Sequence, residues 1–287
     1  MDPVHWDEPA PRLRDAVMVA AFGGWNDAAS AASSALGFLG TSLGARKVAS
    51  IDAEEFYDFQ ATRPLVDMSG GATERIVWPD VEIRVAQRPD WSHDVVLVSG
   101  AEPSFRWRTF CRVLLDAGDR LGVTRAVTLG SLLADVVHNR AIRLTGMSSD
   151  PELIADLGFR EPTYSGPTGI VGVLQQAAID RGFGAVSLWA PVSHYAAGLT
   201  NAKGSLALIE GLGRIKGIDV DVDVTELRAA AGAFEDQVDR AVAAEPRLKS
   251  LVEQLEQAAG ADHGPLPTGD ELAEELERYL RERDEPS

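Results

Sequence analysis

A single cysteine, Cys111, stands in the 287 residues, so no disulfide can form within the chain. It sits between Phe110 and a Val113-Leu114-Leu115 run and reads as a buried structural thiol on a helix rather than a nucleophile. Lysine is scarce. Before the acidic C-terminal part only Lys47, Lys203 and Lys216 occur, and none lies in a glycine-rich loop that could cradle phosphates. The histidines, His5, His93, His138, His194 and His263, show no ligand spacing such as H-x-x-x-H, so neither a metal centre nor a cofactor is expected. No apolar run approaches the roughly 20 residues of a membrane-spanning helix, and the N-terminal MDPVHWDEPAPRLRD lacks the apolar centre of a signal peptide. Positive charge is in deficit, with a formal net charge of −17. Such a surface repels phosphate backbones and anionic lipid. The expectation is a soluble cytoplasmic protein that binds neither nucleic acid nor membrane.

Apolar residues make up 45% of the chain, enough for a full core. Short apolar runs read as strands at Ala16–Phe22, Lys47–Asp52, Ile83–Ala86, Val95–Ser99, Ala126–Leu129 and Ala185–Trp189. Between them, helical spacing covers Asp27–Leu39, Ser104–Leu121, Pro151–Leu157, Thr168–Arg181 and Asn201–Ile215. Largely apolar strands alternating with helices predict a three-layer α/β/α sandwich around a mostly parallel sheet. Glu74–Arg88 alternates like a hairpin, which predicts an antiparallel portion.

The charge changes character near Gly217-Ile218-Asp219. From Asp219 onward there are 19 acids against 7 bases, whereas the preceding 218 residues are nearly balanced. This divides the chain into an α/β/α body, 1–218, and an acidic helical extension, 219–287. Three helices are expected in the extension. The first carries the stripe Leu227, Ala231, Phe234, Val238 and Val242 behind Thr225 as N-cap; the second starts at Pro246; the third follows the capping box Thr268–Glu271.

The candidate site gathers at strand exits, where open α/β sheets bind their ligands. The turn Gly23-Gly24-Trp25-Asn26-Asp27 opens a helix whose N-terminus attracts anions. It matches neither G-x-G-x-x-G nor a Walker loop, and Asp27 reads as a helix cap before it reads as a ligand, since its negative charge would oppose a phosphate. A second block, Tyr164–Gly172, places Ser165 and Thr168 before a helix as ligands or caps. Two further strand exits carry Asp135 and His138, and His194 and Tyr195; the two histidines with Asp135 could form an acid–base or metal site, or be loop histidines hydrogen-bonded to backbone. Glu102 follows the Val95–Ser99 strand as a polar ligand or as the cap of the next helix. In Phe105-Arg106-Trp107-Arg108 the two rings cannot both face inward, so one exposed aromatic and an interface are one reading; cover by neighbouring loops is the other. Gly40-Thr41-Ser42-Leu43-Gly44 has the letters of a nucleophile elbow but lies between a helix and a strand, so Ser42 is read as part of a helix end.

Four ordered blocks, Gly24–Ala28, Gly130–Arg140, Gly166–Ile170 and Leu188–Tyr195, resemble the proteasome assembly chaperone 2 family in its actinobacterial form. The resemblance spans roughly Ala16 to Gly213 and implies a sandwich fold likened to purine nucleoside phosphorylases. Val137 and Ser193 stand where that family tends to place prolines before each histidine. The family's relatives often dock proteasome rings through a terminal hydrophobic–Tyr–any tripeptide, and this chain ends Asp284-Glu285-Pro286-Ser287.

The resemblance implies a non-enzymatic chaperone-like protein that self-associates, with a trimer as the guess, and binds a protein partner such as a proteasome component. The alternative is a nucleotide- or nucleoside-binding enzyme, such as an ATP-dependent carboxylate–amine ligase, working in the strand-exit crevice.

Overall fold

The computed structural model describes residues 3–7, 9–69, 72–154, 158–159, 165–218 and 220–261. In chain order the strands are β1 (Val4–Trp6), β2 (Ala16–Gly23), β3 (Arg46–Ile51), β4 (Leu65–Ser69), β5 (Ala72–Val77), β6 (Val81–Ala86), β7 (Val95–Ala101), β8 (Val123–Ala134), β9 (Thr145–Ser148) and β10 (Gly184–Ser193). The helices are α1 (Ala31–Ser42), α2 (Trp107–Leu121), α3 (Ile170–Arg181), α4 (Ala202–Leu212), α5 (Thr225–Ala244) and α6 (Pro246–Ala261).

Eight strands form one sheet in the order β1-β3-β6-β7-β2-β8-β10-β9. Its centre, β7-β2-β8-β10, is parallel. Antiparallel β6, β3 and β1 extend one side, and antiparallel β9 closes the other. β2 shows why the apolar run of the sequence becomes a central strand. Ala16, Met18, Ala20 and Phe22 enter the core beneath α2 and α3, while Val17, Val19 and Ala21 enter the core beneath α1 and α4. With period 2 and both faces covered, every residue in that run is buried. The three-layer sandwich expected from the sequence is therefore the fold. Phe110 binds the α2 layer by edge-to-face contacts with Phe22 and Phe56.

Several local readings change. Glu74–Arg88 is not a hairpin. It spans the end of β5 and all of β6, which lie in different sheets; β5 pairs with β4 in a two-stranded sheet, and β6 joins the large sheet between β3 and β7. Period-2 alternation identifies a strand but not its partner. Of the helix expected at Pro151–Leu157, the described part is a single 3₁₀ turn over Pro151–Leu153 capped by Asp150; 155–157 lie outside the described residues. α2 begins at Trp107 rather than Ser104, because Arg106 is left-handed at φ 56°. Cys111 is buried on α2, and burial pushes its thiol up to about 12 by penalising the thiolate.

The chain divides into two compact units, Met1–Ala241 and Val242–Ser287. That division falls inside α5, whereas the change of charge falls at Asp219. The apolar stripe explains the difference: Leu227, Ala231, Phe234 and Val238 are all buried, and Leu227 belongs to the core of the first unit. Asp223, not Thr225, supplies the capping carboxylate of α5, accepting the Thr225 N–H at 2.9 Å. In the second unit α6 starts at Pro246, and Leu248, Leu251, Val252 and Leu255 form its less exposed face. The third expected helix, Thr268 onward, lies outside the described residues.

Candidate functional site

β2, β7 and β8 end at the same edge of the sheet, and the turn after β2 is held there by contacts distant in sequence. Gly24 adopts φ +142°, a region L-residues rarely enter. The bend turns Trp25 outward and sends Asn26 and Asp27 inward, where both are buried. Asp27 caps α1: its Oδ1 accepts the Ala32 and Ser33 N–H groups at 2.9 and 3.1 Å. The Asn26 carbonyl accepts the Ser131 N–H at 2.8 Å, joining the turn to β8. Ala29 and Ser30, between Asp27 and α1, are both left-handed. Such backbone costs roughly 1 kcal/mol or more per residue and persists only where its surroundings hold it.

The neighbouring helix N-terminus belongs to α3, and it is occupied by the chain itself. Glu102, just past β7, places Oε1 2.8 Å from the Ile170 N–H and Oε2 3.3 Å from the Trp25 N–H. Asn26 Oδ1 accepts from Val171 at 3.4 Å. Gly169 makes this possible, since a Cβ there would stand 2.6 Å from Glu102 Oε1. Glu102 thus caps α3, not the helix that follows it in sequence. Ser165 and Thr168 are exposed on the approach to α3, and Tyr164 lies outside the described residues. Both helix N-termini at this crevice are therefore filled by carboxylates of the chain, in the positions an anionic ligand would take.

The second cluster forms where β8 and β10 leave the sheet. The two histidines both contact the Tyr195 ring edge-on, at 5.7 Å for His138 and 5.6 Å for His194, and take different acids. His194 Nδ1 lies 3.2 Å from Asp135. The buried His138 ring bridges Tyr195 Oη at 2.7 Å and Asp239 Oδ1 at 2.9 Å. The Tyr195 hydroxyl also accepts the His138 main-chain N–H at 2.9 Å. An imidazole carrying its proton on Nε2 satisfies this network: the hydroxyl donates to Nδ1, and Nε2–H donates to Asp239. Lys203 donates to the His138 carbonyl at 2.7 Å and pairs with Glu235. Ser193, at one of the proline positions, donates to the Val136 carbonyl at 2.7 Å and ties the two loops together. The whole cluster consists of hydrogen bonds among the chain's own groups. Among the described residues no set of three or more His, Cys, Asp or Glu is arranged to hold a metal ion.

Sequence reasoning missed Asp239 and Glu235. They sit on the exposed-looking face of an acidic helix, and no local pattern distinguishes them from the other acids there. Lys47, in turn, is engaged by Asp80 at 3.3 Å and Glu82 at 3.5 Å.

The rim of the crevice carries large exposed apolar side chains. Trp25, Phe105, Leu132 and Leu133 are all exposed, whereas Trp107 is partly covered and donates from Nε1 to the Pro103 carbonyl. Of the two aromatic rings beside the arginines, Phe105 is the outward one.

Among the described residues no helix is long and apolar enough to cross a membrane. No curated protein sequence matches the chain. Solved structures do. A PAC2 family protein from Streptomyces avermitilis is 45% identical, with a TM-score of 0.73 over 79% of this chain and 95% of that one. A proteasome-assembly chaperone homologue from Mycobacterium tuberculosis is 39% identical, with a TM-score of 0.76 over 82% of this chain and 99% of that one. The archaeal proteasome activator PbaB of Pyrococcus furiosus shares the fold at 18% identity, with a TM-score of 0.67 over 83% and 97% of the two chains. The sequence profile of the PAC2 family matches residues 21–242, from the end of β2 to the last turn of α5. The strand-exit turn, the capped α3 and the Tyr195 cluster all lie within that span, and the chain belongs to the PAC2 family.

Proposed function

We propose that the chain is a non-enzymatic, chaperone-like assembly protein that self-associates and binds a protein partner, with proteasome subunits as the first candidates. The observation that carries this reading is Glu102. A carboxylate seated on the α3 N-terminus occupies the place a phosphate or nucleotide would need. Asp27 does the same at α1. Lys203, beside the Tyr195 cluster, is bound to the His138 carbonyl and to Glu235. Around the crevice the exposed side chains include the large apolar Trp25, Phe105, Leu132 and Leu133, a chemistry suited to protein docking. The proteasome connection comes from the 39% identical Mycobacterium tuberculosis chain, described as a proteasome-assembly chaperone homologue.

Two measurements test the reading together. Thermal shift with ATP, nucleosides and inorganic phosphate is expected to give no stabilisation. Purified proteasome α and β subunits are expected to co-elute with the chain, or to assemble faster in its presence. Stabilisation by a nucleotide, with no effect on proteasome subunits, replaces this reading with an enzyme or small-molecule binder at the Gly23–Asp27 crevice.

A further inference from the structure

The β4–β5 hairpin exposes apolar side chains on both of its faces. Opposite residues share a face, so Leu65 and Val77 lie on one side and Val66 and Ile76 on the other. These four, with Met68 and Trp78, are between 40% and 68% exposed. A two-stranded ribbon is marginal in water by itself, and apolar residues on both faces call for cover on both.

The hairpin springs from the same edge as the apolar rim. The register pairs Ile51 at the end of β3 with Val81 at the start of β6, and Val81 with Gly100 near the end of β7. Chain leaves β3 and returns to β6 at the strand-exit edge, next to the Trp78–Phe59 ring contact at 5.0 Å. Every exposed large apolar side chain among the described residues therefore lies either on this arm or on the Trp25, Phe105, Leu132 and Leu133 rim. Together they leave on the order of 1,000 Å² of largely apolar surface in water. Arm and rim are counted together in that total, which is comparable with the roughly 800 Å² that each partner buries in a stable interface.

We infer that the arm of one copy packs against the strand-exit rim of a second copy; the inference rests on the self-association proposed above. Charge allows it. Between Leu65 and Trp78 the chain carries only two acids and one arginine, and Asp67 pairs with Arg75 at 3.0 Å, so two strongly acidic copies can meet there with little repulsion. A symmetric arm-to-arm contact would leave the rim in water. An arm-to-rim contact covers both surfaces, and its repetition about a rotation axis closes a ring.

The test is the mass of the full chain by light scattering after gel filtration, for the wild type and for the double variant Val66→Glu/Ile76→Lys. Residues 66 and 76 stand directly opposite, so the introduced charges can pair and keep the hairpin. The wild type is expected as a multiple of 30.7 kDa and the variant as a single chain with an unchanged circular dichroism spectrum. Independently, Ile76→Cys and Leu133→Cys chains are mixed and treated with a short bismaleimide. The inference expects crosslinks in the mixture and none in either variant alone, Cys111 being buried. Arm-to-arm crosslinks in Ile76→Cys alone overturn it, as does an oligomer that the double variant does not open; both leave self-association standing. A wild-type monomer overturns the inference and self-association together.

Discussion

The Glu102 carboxylate rests on the first turn of α3, Oε1 accepting the Ile170 N–H at 2.8 Å across 68 residues of sequence. The contact is a helix cap supplied by a different strand exit, and it converts a potential anion site into a structural joint. Glu102→Ala is expected to cost about 1–2 kcal/mol, the range for loss of a cap. It should also uncover the site: sulfate or phosphate should raise the melting temperature of the variant by more than that of the wild type. Equal responses would show that the carboxylate is not what keeps anions out.

Gly24 is the hinge of the same turn. At φ +142° a side chain is strained whatever the space, and a Cβ would stand 3.0 Å from Glu102 Cβ. Gly24→Val is expected to destabilise by about 1–3 kcal/mol in urea titration, with Gly24→Ala milder. A Gly24→Val protein as stable as the wild type would rule out this backbone geometry.

Tyr195 and Asp239 act through one imidazole. Tyr195→Phe removes the hydroxyl from both the His138 N–H and Nδ1, and should cost about 1–3 kcal/mol for the polar groups left behind. Asp239→Ala removes the opposite partner, 2.9 Å from Nε2. The two losses should fail to add, with a coupling of about 0.5 kcal/mol or more in a double-mutant cycle. Strict additivity would mean that the ring does not link them.

Asp94 fastens the entry to β2 and β7. Its Oδ2 accepts the Arg14 main-chain N–H at 2.8 Å, and Oδ1 meets the Arg14 guanidinium at 2.9 Å. Burial alone would raise the carboxyl pKa, but the hydrogen bonds from Arg14 and its charge outweigh it and hold the group below its ordinary value. A lowered carboxyl pKa contributes stability above the ordinary carboxylate range, and that stability is lost as pH falls through the lowered value. Wild-type stability should therefore fall on acidification below about pH 4, and Asp94→Asn should be less stable at neutral pH with a shallower acid limb. Parallel limbs in guanidinium titrations across pH would show that Asp94 does not carry this term. The Arg14 side chain is half exposed, so solvent screens much of the charge attraction and the hydrogen bonds dominate.

Whatever is written in local pattern was legible before the structure. The even and odd residues of Ala16–Phe22 are both apolar because both faces of β2 are covered, so the run announces a central strand. Asp27 as a cap, Pro246 as a helix start and the buried stripe of α5 follow from the same short-range rules. Alternation in Glu74–Arg88 revealed strands but paired them wrongly, because a strand's partner depends on register with distant chain.

What the sequence by itself determined about this protein is the sandwich, its parallel centre, and the residues able to stand at the strand exits. These depend on periodicity, capping and the burial of apolar runs, all set within a few residues of each position. Only the tertiary structure decided what those residues do. Glu102 reaches Ile170, Asp239 reaches His138 across 101 residues, and the β4–β5 arm leaves the sheet at the apolar rim. Side chains at a crevice become ligands, caps or docking surface according to which distant backbone groups arrive beside them, and chain spacing does not encode that arrival.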